Sequence, residues 1–340
     1  MSSRAFITGV SGLELSAAER EFIRAERPWG FILFKRNVET PAQVSALVNE
    51  FRNCLGEADA PVLIDQEGGR VARLGPPHWP VYPPGAAFGA LYDLDPALGL
   101  QAAKLSSRLI AADLIDLGVT VDCLPLADVP VAGADAVIGN RAYGTEPAKV
   151  AAIARAVTGG LEQGGVLPVL KHIPGHGRAT ADSHFRLPTV DTPREELERT
   201  DFPAFQQLAD LPMAMTAHVV FSALDPAQPA TTSATIIRQV IRGQIGFQGL
   251  LMSDDVSMNA LAGSIAERTR AIVNAGCDMI LHCNGKLDEM RDVARETPEL
   301  TDEALQRARR ALASRKPPEP LDRQAARAEL DALLDRMGTA

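Results

Sequence analysis

The chain has 340 residues, of which 46% are apolar and 23% are charged. This balance is typical of a folded protein with a sizeable hydrophobic core, and it does not indicate a disordered chain. The formal net charge of −9 argues against nucleic acid as a partner, because proteins that hold phosphate backbones concentrate Lys and Arg.

The sequence also predicts the compartment. The start, MSSRAFITGVSG, lacks the basic segment and the sustained apolar segment of a secretory signal, and no apolar run reaches the roughly 18 residues of a membrane-spanning helix. Four cysteines lie scattered in apolar runs, which indicates buried free thiols in a reducing environment: Cys54, Cys123, Cys277 and Cys283. We therefore predict a cytoplasmic protein with no membrane partner.

Short apolar runs alternate with amphipathic stretches along the whole chain. Taken in order, the runs predict strands at residues 5–10, 30–35, 61–66, 119–124, 166–172, 213–220, 249–255 and 277–283. The stretches between them predict crossover helices at residues 16–26, 41–54, 98–117, 147–162, 194–208, 231–245 and 265–275. The first of these helices opens with the capping box Ser16-x-x-Glu19.

Eight strand and helix units predict an α/β protein with a single-domain (β/α)8 barrel of the TIM type. A doubly wound sheet fits less well, because GVSG after the first strand is not a phosphate-binding GxGxxG turn. The segment KPPEP at residues 316–320 predicts a linker. We therefore expect a barrel over residues 1–315 and a C-terminal helical tail over residues 316–340.

Polar residues stand at the ends of five predicted strands. Because parallel barrel strands all end at one rim, where barrel enzymes build their sites, these residues predict an active site. The residues are Asp65, Lys171, His172, His218, Asp254, Asp255, His282 and Asn284.

The stretch KHIPGHGRATADSHFRLP at residues 171–188 leaves three interpretations open. His172 and His176 are four residues apart, but Pro174 and Gly175 exclude the helix that would put both on one face, as in a zinc-binding HExxH motif. A metal-dependent hydrolase remains possible on the other rim ligands. Asp182 and His184 could form a dyad for general acid/base catalysis, with the carboxylate orienting the imidazole, or they could lie in an ordinary turn.

Two further motifs carry carboxylates with more than one interpretation. In SDDVSM, Asp254 or Asp255 could be a nucleophile and the other a structural group, or either could cap a helix. In DQEGGRVARL, Asp65 could grip vicinal sugar hydroxyls together with Arg70 or Arg73, or these charges could form a surface ion pair. Arg141, in the loop GNRAYG, could likewise bind a ligand or be an exposed arginine.

Together these motifs resemble the bacterial β-N-acetylhexosaminidases of glycoside hydrolase family 3. The family's KHFPGHG…DSH pattern stands here as KHIPGHGRATADSH, its DQEGGRV as DQEGGRVARL, its SDD-x-SM as SDDVSM and its LF-x-RN as LFKRN. The segments TAHVVFSALDPAQPAT and AGCDMILHCN are also similar, and the motifs follow in order over about residues 5–300. Ile173 and Met252 depart from the family, which commonly has Phe at both positions.

The resemblance implies a retaining, exo-acting β-N-acetylglucosaminidase without a metal ion or cofactor. It makes Asp254 the nucleophile and His184 the acid/base, oriented by Asp182. The residues implied in binding the terminal N-acetylglucosamine are Asp65, Arg73, Arg141, Lys171 and His172.

The implied substrate is a small saccharide, the muropeptide N-acetylglucosaminyl-1,6-anhydro-N-acetylmuramic acid with or without peptide. The implied process is peptidoglycan recycling, and we expect a monomer. The alternatives are a family 3 enzyme with another sugar preference or phosphorylase activity, a metal-dependent hydrolase barrel and a barrel that binds sugar without catalysis.

Overall fold

Eight parallel strands form a barrel in the computed structural model, which describes residues 3–183 and 186–338. The strands are β1 (Arg4–Thr8), β2 (Pro28–Leu33), β3 (Val62–Ile64), β4 (Val121–Asp122), β5 (Leu167–Pro168 and Leu170–Ile173), β6 (Met213–Thr216), β7 (Leu250–Asp255) and β8 (Met279–His282). Each lies within or overlaps one of the eight predicted runs, because buried parallel strands are nearly continuous apolar segments.

Strand β5 closes the barrel. Its first segment pairs with β4 and its second pairs with β6, and only Val169 separates the two segments. The backbone N–H of Val169 donates to the carbonyls of Asp122 and Leu124, at 3.1 and 2.7 Å. The sheet therefore returns on itself, and the predicted (β/α)8 barrel is confirmed.

Helices surround the strands. They are α1 (Ala17–Glu26), α2 (Pro41–Leu55), α3 (Gly85–Leu94), α4 (Pro96–Asp116), α5 (Pro147–Gln163), α6 (Arg194–Thr200), α7 (Phe202–Gln206), α8 (Ile265–Ala275), α9 (Leu287–Glu296), α10 (Asp302–Ala313) and α11 (Arg323–Asp335). The predicted capping box of α1 is confirmed, since Ser16 and Glu19 each bind the other's backbone N–H.

Two predicted helices differ from the observed ones. The helix expected over residues 194–208 is broken into α6 and α7, because Pro203 lacks an N–H and its ring would clash with the preceding turn. The segment expected as a helix over residues 231–245 is a 3₁₀ turn (Ala230–Thr232) followed by a π-helix (Ile236–Gln244).

Apolar side chains fill the inside of the barrel. Alternate residues of the strands point inward, and four methionines contribute to this layer: Met213, Met215, Met252 and Met279. A larger apolar cluster lies between the strands and the helices. Cys54, Cys123, Cys277 and Cys283 are buried free thiols, as predicted. Within the described ranges, no helix combines the length and the apolar character that a membrane crossing requires.

Helix α11 packs against α4 and reaches a loop near the barrel rim. Arg323 forms an ion pair with Asp116 at 2.7 Å. Arg327 lies over the ring of Tyr82 and donates to the carbonyl of Val81 at 3.0 Å. The division of the chain at residue 316 stays a prediction.

Candidate active site

A cavity of about 360 Å³ opens where the barrel strands end. Its wall combines the apolar barrel interior, represented by Ile32, Met215 and Leu281, with charged side chains from several strands and loops. The predicted site residues that line it are Asp65, Arg73, Arg141, Lys171, His172, Asp182 and Asp254. His184 lies outside the described residues.

Five charged side chains form a continuous network on one wall. The Lys171 ammonium lies 2.9 Å from Asp65 Oδ1 and 2.6 Å from Glu67 Oε1. Arg73 donates to the other oxygen of Asp65 at 2.9 Å. Arg141 donates to Glu67 from both Nε and Nη2, at 2.8 Å each. The two carboxylates therefore hold three cations from three different chain segments.

Burial and charge act in opposite directions on the carboxylates of this network. Burial alone would raise the pKa of Asp65, but the charges of Lys171 and Arg73 hold it well below its usual range. Burial also favours a higher pKa for Glu67, and Lys171 and Arg141 lower it. Both carboxylates are therefore ionised at neutral pH.

Lys171, the cation at the centre of the network, keeps its charge because the two neighbouring carboxylates oppose the effect of burial. Burial would lower the pKa of Lys171, whose side chain is 2% exposed, but Asp65 and Glu67 raise it above its ordinary value. Two of the three ammonium N–H groups point to these carboxylates, so that within residues 3–183 and 186–338 one remains to donate to a ligand. Arg141 also donates to the carbonyl of Val137, at 3.1 Å, so that each of its terminal nitrogens keeps one N–H that contacts no other described residue.

Hydrogen bonds to the Asp128 carboxylate hold the turn at residues 172–176 in place. One oxygen of this carboxylate accepts from the backbone N–H groups of His172 and His176, at 3.2 and 2.7 Å. The other lies 2.7 Å from His172 Nδ1. His176 Nε2 lies 3.1 Å from Ser183 Oγ, so the turn also contacts the residue after Asp182.

Asp254 and Asp255, adjacent at the end of β7, have different surroundings. The carboxylate of Asp255 accepts from the backbone N–H groups of Ser257 and Cys283, at 3.0 and 3.1 Å, and from the Ser257 hydroxyl at 2.6 Å. The bond to Cys283 links the end of β7 to the residue after β8, and together the three bonds engage both carboxylate oxygens of Asp255. Both residues line the cavity, and Asp254 Oδ1 accepts from the backbone N–H of Asp255 at 2.8 Å. Neither residue caps a helix, since α8 begins later with Ser264 as its N-cap.

The other polar residues at strand ends lie outside the cavity lining. His218 contacts Thr231 and the carbonyl of Asp255, at 2.8 and 3.0 Å. His282 and Asn284 both face Glu289, at 3.5 and 2.6 Å. These residues support the rim without contributing to the cavity wall.

Two carboxylates of the site were missed by the sequence reasoning. Glu67 stands inside the DQEGGRV motif, two residues after Asp65. Asp128 follows β4 in LPLADVP. A carboxylate shortly after a predicted barrel strand indicates a residue at the rim, so Asp128 could have been predicted as a site residue. Over residues 3–183 and 186–338, no group of three or more His, Cys, Asp or Glu is arranged to hold a metal ion.

Comparison with known proteins decides the family. The model of the glycosyl hydrolase family 3 N-terminal domain matches residues 7–314. The chain belongs to glycosyl hydrolase family 3. It is 39% identical to a beta-hexosaminidase of Alkalilimnicola ehrlichii over 280 residues, which is 81% of this chain and 79% of that protein.

Solved structures of this family share the fold. NagZ from Neisseria gonorrhoeae, in complex with N-trifluoroacetyl-D-glucosamine, aligns with a TM-score of 0.85 at 29% identity, over 100% of this chain and 98% of that one. A family 3 beta-N-acetylglucosaminidase from Paenibacillus sp. str. FPU-7 aligns with a TM-score of 0.83 at 30% identity, over 98% of this chain and 66% of that longer one. The family 3 protein described here is accordingly a glycoside hydrolase of the beta-hexosaminidase type.

Proposed function

We propose that the protein is a retaining, exo-acting β-N-acetylglucosaminidase that removes terminal N-acetylglucosamine from muropeptides. Asp254 attacks the anomeric carbon and forms a covalent glycosyl-enzyme, which water then hydrolyses. His184 protonates the leaving oxygen and later takes a proton from that water, with Asp182 orienting its ring. The observation that carries the proposal is that Asp254 and Asp182 line the same cavity as the charged network.

The charged network is suited to a terminal sugar. Its remaining N–H donors on Lys171 and Arg141 and the carboxylate oxygens of Asp65 are fixed before any ligand arrives. Groups that are already paired and oriented bind hydroxyls without a further ordering cost. The cavity volume lies near the lower end of the range for pockets that hold small ligands, which favours one terminal sugar over a long chain.

A histidine in the acid/base role departs from the usual pair of carboxylates. An imidazole with an ordinary pKa of about 6.5 is partly protonated near neutral pH, so it can donate a proton in one step and accept one in the next. The substrate proposed is N-acetylglucosaminyl-1,6-anhydro-N-acetylmuramic acid, with or without peptide, in cytoplasmic peptidoglycan recycling. The NagZ structure bound to an N-acylated glucosamine supports the sugar class.

Hydrolysis of p-nitrophenyl N-acetyl-β-glucosaminide, beside the matching β-glucoside, tests this function. We expect the wild-type protein to cleave the N-acetyl sugar with or without EDTA. The Asp254→Ala variant loses at least about 10³-fold in kcat, because the nucleophile is gone. Asp210→Ala serves as control, since this exposed carboxylate pairs only with Arg155 among the described residues, and the variant should retain activity.

Three results would contradict the proposal. Activity on the glucoside alone would indicate another sugar preference, and loss of activity with EDTA would indicate a metal-dependent reaction. A sugar 1-phosphate formed in phosphate buffer would identify a phosphorylase.

A further inference from the structure

Asp128 is a fully buried carboxylate beside the proposed sugar site, with 0% of its surface exposed. It lies after β4, whereas its partners His172 and His176 lie at the end of β5 and in the loop that follows. Its two oxygens have separate partners. Oδ1 accepts from two backbone N–H groups, and Oδ2 faces one ring nitrogen of His172.

The contact at Oδ2 determines which nitrogen of His172 carries the proton. Burial would raise the pKa of Asp128, but His172 and His176 lower it to about 2, so the carboxylate is ionised and can only accept. The Nδ1 atom, 2.7 Å from it, must therefore donate. In a neutral imidazole with a proton on Nδ1, the opposite nitrogen Nε2 is an acceptor.

We propose that Asp128 is a positioning residue of the sugar site, which fixes through His172 an acceptor for a substrate hydroxyl. The inference rests on the proposed function, because it assigns a role to His172 in the same cavity. Oδ1 holds the backbone of the turn in place, and Oδ2 sets the tautomer of the His172 ring. Without this carboxylate, the ring would be free to present a donor instead of an acceptor to the hydroxyl.

The two oxygens make the two roles separable by substitution. In Asp128→Asn, the side-chain oxygen should continue to accept from the backbone N–H groups of His172 and His176. In the flipped orientation the amide NH₂, a donor, would face these two N–H donors. The amide NH₂ then faces His172 Nδ1, which must become the acceptor. The proton moves to Nε2, as required by hydrogen-bond pairing. Asp128→Ala removes both roles and leaves two buried N–H groups without a partner.

The experiment combines an NMR measurement on the ring with measurements of sugar binding. Wild type, Asp128→Asn and Asp128→Ala are labelled with ¹⁵N and recorded at pH 8, with His172→Gln to assign the signal. Binding of N-acetylglucosamine is measured by calorimetry, and kcat and KM are measured on p-nitrophenyl N-acetyl-β-glucosaminide.

Asp278→Asn is the matched control. Asp278 is also a buried carboxylate that accepts from a backbone N–H and from two charged side chains, Arg242 and Arg307. It precedes β8 at the opposite end of the barrel from the cavity. This variant measures how the loss of a buried charge outside the cavity affects activity. We expect its KM to be unchanged.

In the wild-type protein we expect His172 to carry its proton on Nδ1, and in Asp128→Asn on Nε2. We expect the affinity of Asp128→Asn for N-acetylglucosamine to fall about tenfold, as for the loss of one good hydrogen bond, with KM rising more than kcat falls. A wild-type spectrum with protons on both nitrogens, or on Nε2 alone, would overturn the inference. A moved proton with unchanged affinity would overturn it as well.

Failure of the proposed function gives a different pattern. If the wild-type protein neither cleaves the glycoside nor binds N-acetylglucosamine, both the proposed function and the sugar-binding role of His172 are wrong, whatever the tautomer. If the wild-type protein is active and Asp128→Asn behaves like Asp278→Asn in KM, only the role assigned to Asp128 is wrong.

Discussion

Glu67 joins cations that come from distant parts of the chain. Arg141 lies 74 residues further along, and the side chain of Glu67 is 4% exposed. A carboxylate buried this deeply is tolerated because two charged partners and their hydrogen bonds offset the loss of water. Glu67 therefore holds the cationic groups of the site at fixed positions.

The residues of the cavity were largely predictable, and their pairings were not. Asp65, Lys171 and Asp254 stand at strand ends, which parallel topology brings to one rim. No spacing rule, however, relates Glu67 to Arg141 or Asp128 to His172, because these contacts depend on the three-dimensional path of two loops. The sequence also could not separate Asp254 from Asp255 by position alone, since the difference lies in the bonds that Asp255 makes to Ser257 and Cys283.

Asp122 carries a prediction about pH. Burial raises the pKa of this carboxyl group well above its usual value, more than the backbone N–H of Gln66 lowers it. The ordinary pKa of this group, 3.8, applies to the unfolded chain, and the pKa in the folded protein is higher. The contribution of the protonated group to folding stability is therefore complete below pH 3.8 and is lost as the pH rises through the pKa of the folded protein. Asn resembles the protonated acid and does not titrate. We therefore expect Asp122→Asn to gain stability over wild type as the pH increases from 4.

Urea denaturation at pH 4, 6 and 8 measures this effect. The gain cannot exceed about 1.4 kcal/mol per pH unit for one proton. Asp59→Asn, an exposed carboxylate at 94% side-chain exposure, is the control and should show no comparable slope. A stability difference that is constant over this range would mean that Asp122 is ionised in the folded protein.

At the scale of elements, the strands were predicted better than the helices. The strands stand out as nearly continuous apolar runs, because both faces of each strand are buried. Helix α3 (Gly85–Leu94) was missed, since its Gly and Ala residues give little amphipathic contrast. The π-helix has wider turns than an α-helix, and apolar spacing alone does not reveal which of the two forms.

The turn after β3 depends on two glycines with positive φ. Gly68 has φ of +91°, and a Cβ there would lie 2.3 Å from the carbonyl oxygen of Pro83. Gly69 donates its N–H to the carbonyl of Tyr82 at 2.9 Å. This close approach holds the turn that carries Glu67 against the loop containing Pro83.

Gly68→Ala should therefore disturb both stability and sugar binding. We expect a loss of at least about 2 kcal/mol in unfolding free energy, from backbone strain and the clash together. Gly56→Ala is a matched control, because Gly56 has φ of +71° with open space around its Cβ position, and it should lose only about 1 kcal/mol. Denaturation and KM on the p-nitrophenyl substrate measure both effects. Equal losses in the two variants would show that the clash is relieved by a small shift.

At the scale of the whole molecule, the C-terminal tail is packed onto the barrel. Leu330 and Leu333 of α11 are buried, and Arg327 contacts the loop that supports the Gly68-Gly69 turn. The tail thus adds apolar burial on the outside of the barrel, and it also reaches a loop that supports the site.

Deletion of residues 316–340 tests this view. Loss of two buried leucines should lower the unfolding free energy by roughly 3–5 kcal/mol. We also expect a modest rise in KM, which Arg327→Ala should reproduce with a smaller loss of stability, since it removes the contacts with Val81 and Tyr82 and an ion pair with Asp331 inside α11 but leaves the buried leucines in place. Thermal unfolding and steady-state kinetics of the wild type, the deletion variant and Arg327→Ala measure the changes in stability and in KM. A tail-free protein with unchanged melting temperature and KM would contradict both expectations.

The ion pair between Asp65 and Lys171 joins residues 106 positions apart, across β4, which lies between β3 and β5 in the sheet. A ribosome makes Asp65, Glu67, Arg73 and Arg141 before it makes the ammonium that bridges the two carboxylates. Until β5 has left the exit tunnel and joined the sheet, the nascent chain lacks the completed charged network of the cavity. Under the proposed function, affinity for the sugar therefore cannot arise before this point of synthesis, and its appearance would report that β5 has joined the sheet.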